Sequence, residues 1–459
     1  MKLESVHSVY FLGIGGIGMS AIARWFHANG YTVSGYDKTA TVLTKRLEAE
    51  GIAIHYSDDV EQIPAAIKAD KSTSLIIYTP AVPQDLKELI FFQNEGYVLH
   101  KRSQVLGMLT ESKFTIAVAG THGKTTTSSM VAHLLKSVGV DCSAFVGGIM
   151  TNYDSNLLIG TNNDVMVVEA DEFDRSFLTL HPDIAIITAT DADHLDIYGD
   201  RDALKDSFKA FIQNMKKNGT LFLEEKVAQD LDAQHLDNVS VFTYGLEGGD
   251  IQSKNLTIDQ GDFCFDFQSK DRQIKDLRLS MSGFHNVSNA IAALAATVHF
   301  EANNAPVQKG LESYRGVKRR FEYILKTDDC VFIDDYAHHP EEIKALLHSV
   351  RAIFPTKKMT VVFQPHLYSR TRDFMDGFAE SLSLADQVLL LDIYPARELP
   401  IPGVTSEVIK EKMTTNSVLS FHKDDVLGFF DANRPELVLT VGAGDIDTLV
   451  QPIKEKLEK

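Results

Sequence analysis

Short apolar runs alternate with amphipathic stretches along nearly the whole chain. SVYFLGIGG is an apolar run ending in glycines. IGMSAIARWFHANG follows it, with Met19, Ile22, Trp25 and Phe26 at helical spacing and Gly30 as the stop. YTVSGYD reads as the next strand, and SLIIYTPAVP as another whose prolines mark its exit. This first unit reads as a parallel α/β domain ending near Met108. KFTIAVAG opens a second unit, and the helix after it presents Met130, Val131, Leu134, Leu135 and Val138 on one face. DVMVVEAD and IAIITAT continue that unit as strands. From about Val241 to Ser282 the texture changes to short strands in a meander, VFTYG, KNLTID and GDFCFDF, before FHNVSNAIAALAATVHF returns to a helix. A third unit begins near YRGVKRRFEYI, with strands CVFIDDYA, KMTVVFQPH, QVLLLDIY and ELVLTVGAG. The pattern therefore predicts an α/β protein of three domains, over residues 1–108, 109–315 and 316–459.

Composition narrows the function classes. The 459 residues carry 45 basic and 63 acidic side chains, a net charge of −18. That balance lacks the basic footprint of a nucleic-acid binder and gives no reason for adhesion to an anionic membrane. An anionic substrate must then be captured locally, by helix N-termini and a few placed cations. Cys142, Cys264 and Cys330 lie far apart, without zinc spacing or a disulfide framework, which fits a cytoplasmic protein. The N-terminal apolar run is short and glycine-broken, and no apolar stretch approaches membrane-spanning length.

Two glycine loops carry the first chemistry. Gly13-x-Gly15-x-x-Gly18, with Gly16 inside it, sits between a strand and a helix, and Asp37 closes the second strand. This is the dinucleotide fingerprint, in which backbone approaches a diphosphate at a helix N-terminus. The pattern does not separate NAD from another ribose-diphosphate compound such as a UDP-sugar, and glycines that only permit tight packing are the bland alternative. The second loop is VAGTHGKTTT, again after an apolar strand and before a helix. Gly120 and Gly123 let backbone N–H groups turn inward, Lys124 can neutralise phosphate charge, and Thr125 can hold Mg²⁺. Thr121, His122 and Thr126 complete the candidate loop. A standard phosphate loop wants glycine where Val118 stands, so this loop should be a shorter one.

Acidic and histidine clusters follow at strand ends. Glu169 ends a buried strand, with Asp171 and Glu172 just after it, where a metal ligand belongs in a phosphate-loop protein. TATDADHLDIYG gathers Asp191, Asp193, His194 and Asp196. Metal coordination suits Glu169 and His194, whereas Asp171, Asp193 and Asp196 read equally well as solvated loop charges. Asn286 suits an adenine edge or a helix cap. Lys318, Arg319 and Arg320 make a basic patch, either solvated or a phosphate clamp. DDYAHHPEE and FQPHLYSRTRD concentrate Asp335, His338, His339, His366, Arg370 and Arg372 at strand ends of the third unit, suggesting a ligand-directed face.

In content and order, GTHGKTTT, VVEADEFDRSFL, DADHLDIYG, FHNVSNAIAALAA, VKRRFE, DDYAHHPEEI and FQPHLYSRTRD resemble the Mur ligases. These are cytoplasmic ATP-dependent enzymes that build the peptidoglycan stem peptide. FLGIGGIGMSAIA and VGAGDI resemble the branch that joins L-alanine to UDP-N-acetylmuramate. The resemblance spans nearly the whole chain, and in that family the short loop is the normal one.

It implies a UDP-sugar-binding Rossmann-like N-terminal domain, a central P-loop ATPase domain with a mixed sheet, and a Rossmann-like, amino-acid-binding C-terminal domain. It places the UDP-sugar on Gly13, Gly15, Gly16, Gly18 and Asp37, and ATP on the loop Gly120–Thr126. By position Lys124 would meet the β- and γ-phosphates, Thr125 and Glu169 one Mg²⁺, and His194 a second. Asn286 would meet adenine, Arg320 the phosphates and Asp335 the ribose, leaving His338, His366 and Arg370 for the amino acid or the intermediate. The implied reaction runs through an acyl phosphate. The implied partners are UDP-N-acetylmuramate and L-alanine, with no nucleic acid or membrane, in a monomer or weak homodimer.

The chain departs from the commonest pattern at Leu367, where many relatives carry a basic residue, and at the bulky Phe173 and Arg175. No carbamylated lysine can be placed, and Lys205 and Lys209 read as surface residues. Two other readings stay open: a recycling ligase that joins a tripeptide to the same nucleotide, and a non-catalytic nucleotide sensor.

Overall fold

The computed structural model describes residues 3–111, 113–161, 164–191, 198, 200–233, 236–301, 303–396, 398–415 and 417–458. Three α/β domains are organised around three sheets. The first comprises β1 (Ser8–Leu12), β2 (Thr32–Tyr36), β3 (Ala53–His55), β4 (Ser74–Tyr78) and β5 (Leu99–Lys101). Its order is β3-β2-β1-β4-β5, every pair parallel. β1 shows why an unbroken apolar run suits such a strand. Val9 and Phe11 enter one buried cluster, while Tyr10 and Leu12 enter another, because successive side chains leave on opposite faces of the pleat and both faces are covered.

The central sheet contains β6 (Phe114–Ala119), β7 (Cys142–Met150), β8 (Ser155–Leu158), β9 (Val165–Glu169), β10 (Ile184–Ile187), β11 (Gly219–Glu224) and β12 (Val239–Gly245). β13 (Ile251–Asp259), β14 (Asp262–Gln268) and β15 (Gln273–Leu279) lie side by side at one end; of the segments expected as a meander, KNLTID and GDFCFDF fall in β13 and β14, whereas VFTYG lies in β12, which pairs parallel with both β11 and β13. The order is β15-β14-β13-β12-β11-β10-β6-β9-β7-β8, and the sheet is mixed: β7 and β8 pair antiparallel, β6 and β9 parallel. The third sheet has β16 (Glu322–Lys326), β17 (Val331–Asp335), β18 (Met359–Phe363), β19 (Gln387–Leu391), β20 (Val418–Phe421) and β21 (Leu437–Val441). Its order is β16-β17-β21-β18-β19-β20, parallel except at the β16 edge.

The chain packs into two compact units. One comprises Met1–Lys254, Phe267–Ile274 and Asn289–Ser313; the other comprises Asn255–Asp266, Lys275–Ser288 and Tyr314–Lys459. In the first unit one apolar cluster runs from Val9, Ile22 and Phe26 through Leu106 and Leu109 to Met166, Val168 and Phe208. The second unit has its own core around Phe332, Val362, Leu389 and Val438.

One expectation needs correction. The helix Lys124–Ser137 does not present a single apolar face, because every residue from Thr125 to Leu135 is buried. Helix Asn304–Ser313 closes the side that periodicity left open, with His133 Nε2 lying 3.1 Å from the Gly310 carbonyl and 2.9 Å from Ser313 Oγ. Among the described residues no helix is long and apolar enough to cross a membrane.

Candidate functional site

The second glycine loop begins one residue past β6. Val118 is a fully buried strand residue, in register with Glu169 of β9 and Ile186 of β10. The turn is therefore made by Gly120–Gly123 alone. Gly120 at φ +131° and Gly123 at φ +80° occupy backbone space that side chains rarely adopt. A Cβ on Gly120 would meet Thr188 Oγ1 and lie 2.8 Å from the Ala189 nitrogen; one on Gly123 would lie 2.7 Å from Asn289 Oδ1. The loop is braced by Thr121 N–H donating to Ala189 O at 3.0 Å, and by the Asp191 N–H donating to Thr121 Oγ1 at 3.1 Å. Gly123 is the N-cap of helix Lys124–Ser137 and offers no side-chain acceptor, so the helix's first N–H groups point out of the loop uncapped by a side chain.

Two carboxylates divide the loop's polar side chains between them. Thr125 donates its hydroxyl to Glu169 Oε1 at 2.9 Å, and Gly147 N–H donates to Glu169 Oε2 at 2.7 Å. Lys124 Nζ donates to the Gly120 carbonyl at 2.7 Å and lies 2.9 and 2.7 Å from the two oxygens of Glu172. Burial disfavours the Lys124 charge, but the carboxylates of Glu172, Asp171 and Glu169 outweigh it and hold its pKa above the ordinary lysine value. His122 faces Asp191 at 3.7 Å, and Thr126 is buried in the first helical turn. His194, with Asp193 and Asp196, lies outside the described residues.

The first glycine loop lies in the same unit. Gly13 has φ +84°, and Gly16 caps helix Ile17–Ala28 without a side-chain acceptor. Asp37 does more than close β2, since its carboxylate accepts the Gly15 N–H at 2.7 Å. A Cβ on Gly15 would lie 2.6 Å from Thr44 Cγ2, and one on Gly18 would lie 2.8 Å from Arg102 Nη1. Arg102 thus lies over the helix start, and it reaches Asp171 at 3.7 Å. The sequence offered no signal for Arg102 beyond its place in a short basic run, His100-Lys101-Arg102, after a strand.

The remaining candidates belong to the second unit. Arg319 and Phe321, both in the left-handed region usually left to glycine, at φ +61° and +48°, flank Arg320. Such strain persists where surrounding contacts over-determine the backbone. Here Arg319 donates to Asp334 at 3.1 Å and to the Gly442 carbonyl at 2.7 Å, while Phe321 N–H donates to Asp335 at 2.7 Å. Arg319 is thereby committed to the fold, and Arg320 is presented against the Tyr336 ring, 4.9 Å from its centroid. Asp335 also accepts the Ala337 N–H at 2.7 Å; loss of solvent pushes its pKa up to about 6 against the pull of Arg320 and these two N–H groups. His338 Nδ1 lies 3.2 Å from Glu342, and the His338 and His366 rings are 6.2 Å apart. His366 stacks on Tyr394 at 5.7 Å, and its pKa is pushed down to about 4 by loss of solvent and by Arg370. Arg370 is buried in helix Tyr368–Leu382, whose N-cap Leu367 has φ +70°. Asn286 is buried at the start of helix Phe284–Thr297 and donates to the Ser282 carbonyl at 2.7 Å.

A strand-ending phosphate loop with an acid-held lysine and hydroxyl, joined to a second glycine loop on a parallel sheet, defines a nucleotide-binding α/β protein. The chain belongs to the Mur ligase family: residues 8–114 match the Mur ligase family catalytic domain, 118–297 the Mur ligase middle domain and 319–444 the Mur ligase glutamate ligase domain. It is 49% identical over 458 residues to UDP-N-acetylmuramate–L-alanine ligase of Cytophaga hutchinsonii, covering 99% of this chain and 97% of that one. Among solved structures, UDP-N-acetylmuramate–alanine ligase of Thermotoga maritima is similar with a TM-score of 0.81 at 30% identity, covering 98% of this chain and 99% of that one. A murein peptide ligase of Psychrobacter arcticus has a TM-score of 0.69 at 23% identity, covering 98% of each chain, a likeness of fold alone.

Proposed function

We propose that this chain is an ATP-dependent ligase that joins L-alanine to UDP-N-acetylmuramate, in cytoplasmic synthesis of peptidoglycan precursor. The observation that carries the reading is the phosphate loop, with the half-buried Lys124 beside Glu172 and Thr125 bonded to Glu169, in a chain so similar over its full length to ligases of that name. The domains run over residues 1–108 for the UDP-sugar, 109–315 for ATP and 316–459 for the amino acid.

In this reading a lactyl carboxylate oxygen of the UDP-sugar attacks the γ-phosphorus, the bond to the bridging oxygen breaks, and ADP leaves. The amine of L-alanine then attacks the acyl phosphate and expels phosphate, forming the amide. The uncapped N–H groups after Gly123 and the Lys124 ammonium receive phosphate oxygens, stabilising charge that builds during transfer. The glycine loop at Gly13–Gly18, braced by Asp37, receives the UDP diphosphate. Asn286 and Asp335 serve the nucleoside, Arg320 the phosphates, and His338, His366 and Arg370 the amino acid or acyl phosphate.

The Thr125 hydroxyl and the Glu169 carboxylate fit Mg²⁺. Both are hard oxygen donors, and Gly147 keeps the carboxylate approachable because a Cβ there would lie 2.6 Å from Glu169 Oε1. Among the described residues no cluster of three or more His, Cys, Asp or Glu is arranged to hold a metal. A two-oxygen protein set nevertheless suits Mg²⁺, which keeps waters and substrate phosphate oxygens as ligands. When bound, it would screen the charge on those phosphate oxygens; His194 is the protein ligand proposed for a second ion. A monomer or weak homodimer is the expected assembly.

Phosphate release with UDP-N-acetylmuramate and a panel of amino acids tests the reading. Release that depends on the UDP-sugar and on free L-alanine is expected. Release that requires a tripeptide instead points to the recycling activity, and no acceptor-dependent release at all refutes a ligase.

A further inference from the structure

We infer that Glu172 is a positioning residue for Lys124 that competes with nucleotide phosphate for its ammonium. The ammonium has three N–H donors. Four oxygens already face it: the Gly120 and Thr121 carbonyls at 2.7 and 3.4 Å, and the two Glu172 oxygens at 2.9 and 2.7 Å. A phosphate that reaches Lys124 has to take one of these places or share it. The Glu172 side chain is fully buried and its backbone is held, because the Tyr198 hydroxyl donates to the Glu172 carbonyl at 2.5 Å and the Arg175 N–H donates to it at 2.9 Å. The carboxylate therefore stays beside the ammonium as phosphate arrives, and the two anions repel across a poorly solvated gap. Glu169, three residues earlier at the end of β9, is not an alternative partner, since its oxygens are taken by Thr125 and Gly147.

The arrangement trades nucleotide affinity for a lysine set in place before transfer. This rests on the nucleotide-loop reading above. Glu172→Gln keeps the shape and removes the charge. It is expected to bind a non-hydrolysable ATP analogue about ten-fold more tightly while kcat for phosphate release falls. Calorimetric titration gives the first quantity and steady-state turnover the second. A role limited to holding the fold would weaken both, so opposite movement of the two is the signature. Unchanged or weaker analogue binding overturns the inference.

UDP-sugar binding and the melting temperature report whether the variant is folded. If it is not, Glu172→Asp withdraws the charge by one methylene and is expected to tighten analogue binding by a smaller factor; no tightening overturns the inference equally. Lys124→Ala is measured alongside. If that variant binds the analogue as well as the wild type, the loop reading itself fails. A weakened Lys124→Ala beside an unchanged Glu172→Gln removes only the role given to Glu172.

Discussion

Glu169 holds Thr125 at 2.9 Å with one carboxylate oxygen and the Gly147 N–H at 2.7 Å with the other. One acid thus links the first turn of the phosphate-loop helix to a neighbouring strand. Changing Glu169 to Gln keeps the size and loses the charge. Turnover is expected to fall about 10²–10³-fold, the scale of losing one preorganised electrostatic group. Phosphate release titrated with Mg²⁺ checks this: saturation should move to higher metal concentration, and wild-type behaviour would remove Glu169 from the metal site.

Gly147 gives the same acid its room. Its backbone is not in the left-handed region, so alanine there carries no conformational penalty, but its Cβ would lie 2.6 Å from Glu169 Oε1. The flexible carboxylate is the group that yields. Gly147→Ala should leave the melting temperature within about 2 °C of wild type, as surface substitutions do, while activity drops and the Mg²⁺ requirement rises. A large stability loss would show that the strand, not the carboxylate, moves.

Lys124→Ala removes the loop's ammonium. UDP-sugar binding is expected to stay close to wild type, because Gly13–Gly18 and Asp37 lie on a separate sheet. Turnover should be lost by about 10²-fold or more. Equilibrium binding of the UDP-sugar and single-turnover phosphate release separate the two effects, and full activity would refute the loop's role.

The second unit should be acid-sensitive. His285 and His366 have folded pKa values near 4, lowered chiefly by loss of solvent, against an ordinary 6.5. Each takes up a proton on unfolding between those values, so the stability they support is lost as pH falls from about 6.5 to 4. Asp335, raised to about 6 from 3.8, works in the opposite sense, because its folded carboxyl keeps a proton that the unfolded chain releases. Denaturant unfolding across that range should show net loss on acidification. His285→Gln should flatten the slope, and an unchanged slope would show that this imidazole is not held neutral.

Strand–loop–helix order was readable from the chain because apolar runs closed by glycine encode it locally. SVYFL, FTIAVA and VMVVE all became strands ending at the chemistry. The pattern does not mark the short strands β3, β5 and β20, since three or four residues of mixed character carry no period, nor β7, β8, β11 and β15. Glu169 was legible from its place at a buried strand's end. Gly147 and Arg102 were not, because their contacts come from segments distant in sequence.

The sequence by itself determined the element order, the two glycine loops and the acids beside the second one, because each depends on residues close along the chain. Only tertiary structure decided which acid serves which partner. Asp171, Glu172 and Glu169 are near neighbours in sequence, yet the fold gives Lys124 to Glu172 and Thr125 to Glu169. It likewise set Asn289 against Gly123 and gave Asn286 to the Ser282 carbonyl. Side-chain pairing depends on direction at the ångström scale, and direction is set by packing between elements that the linear pattern does not bring together.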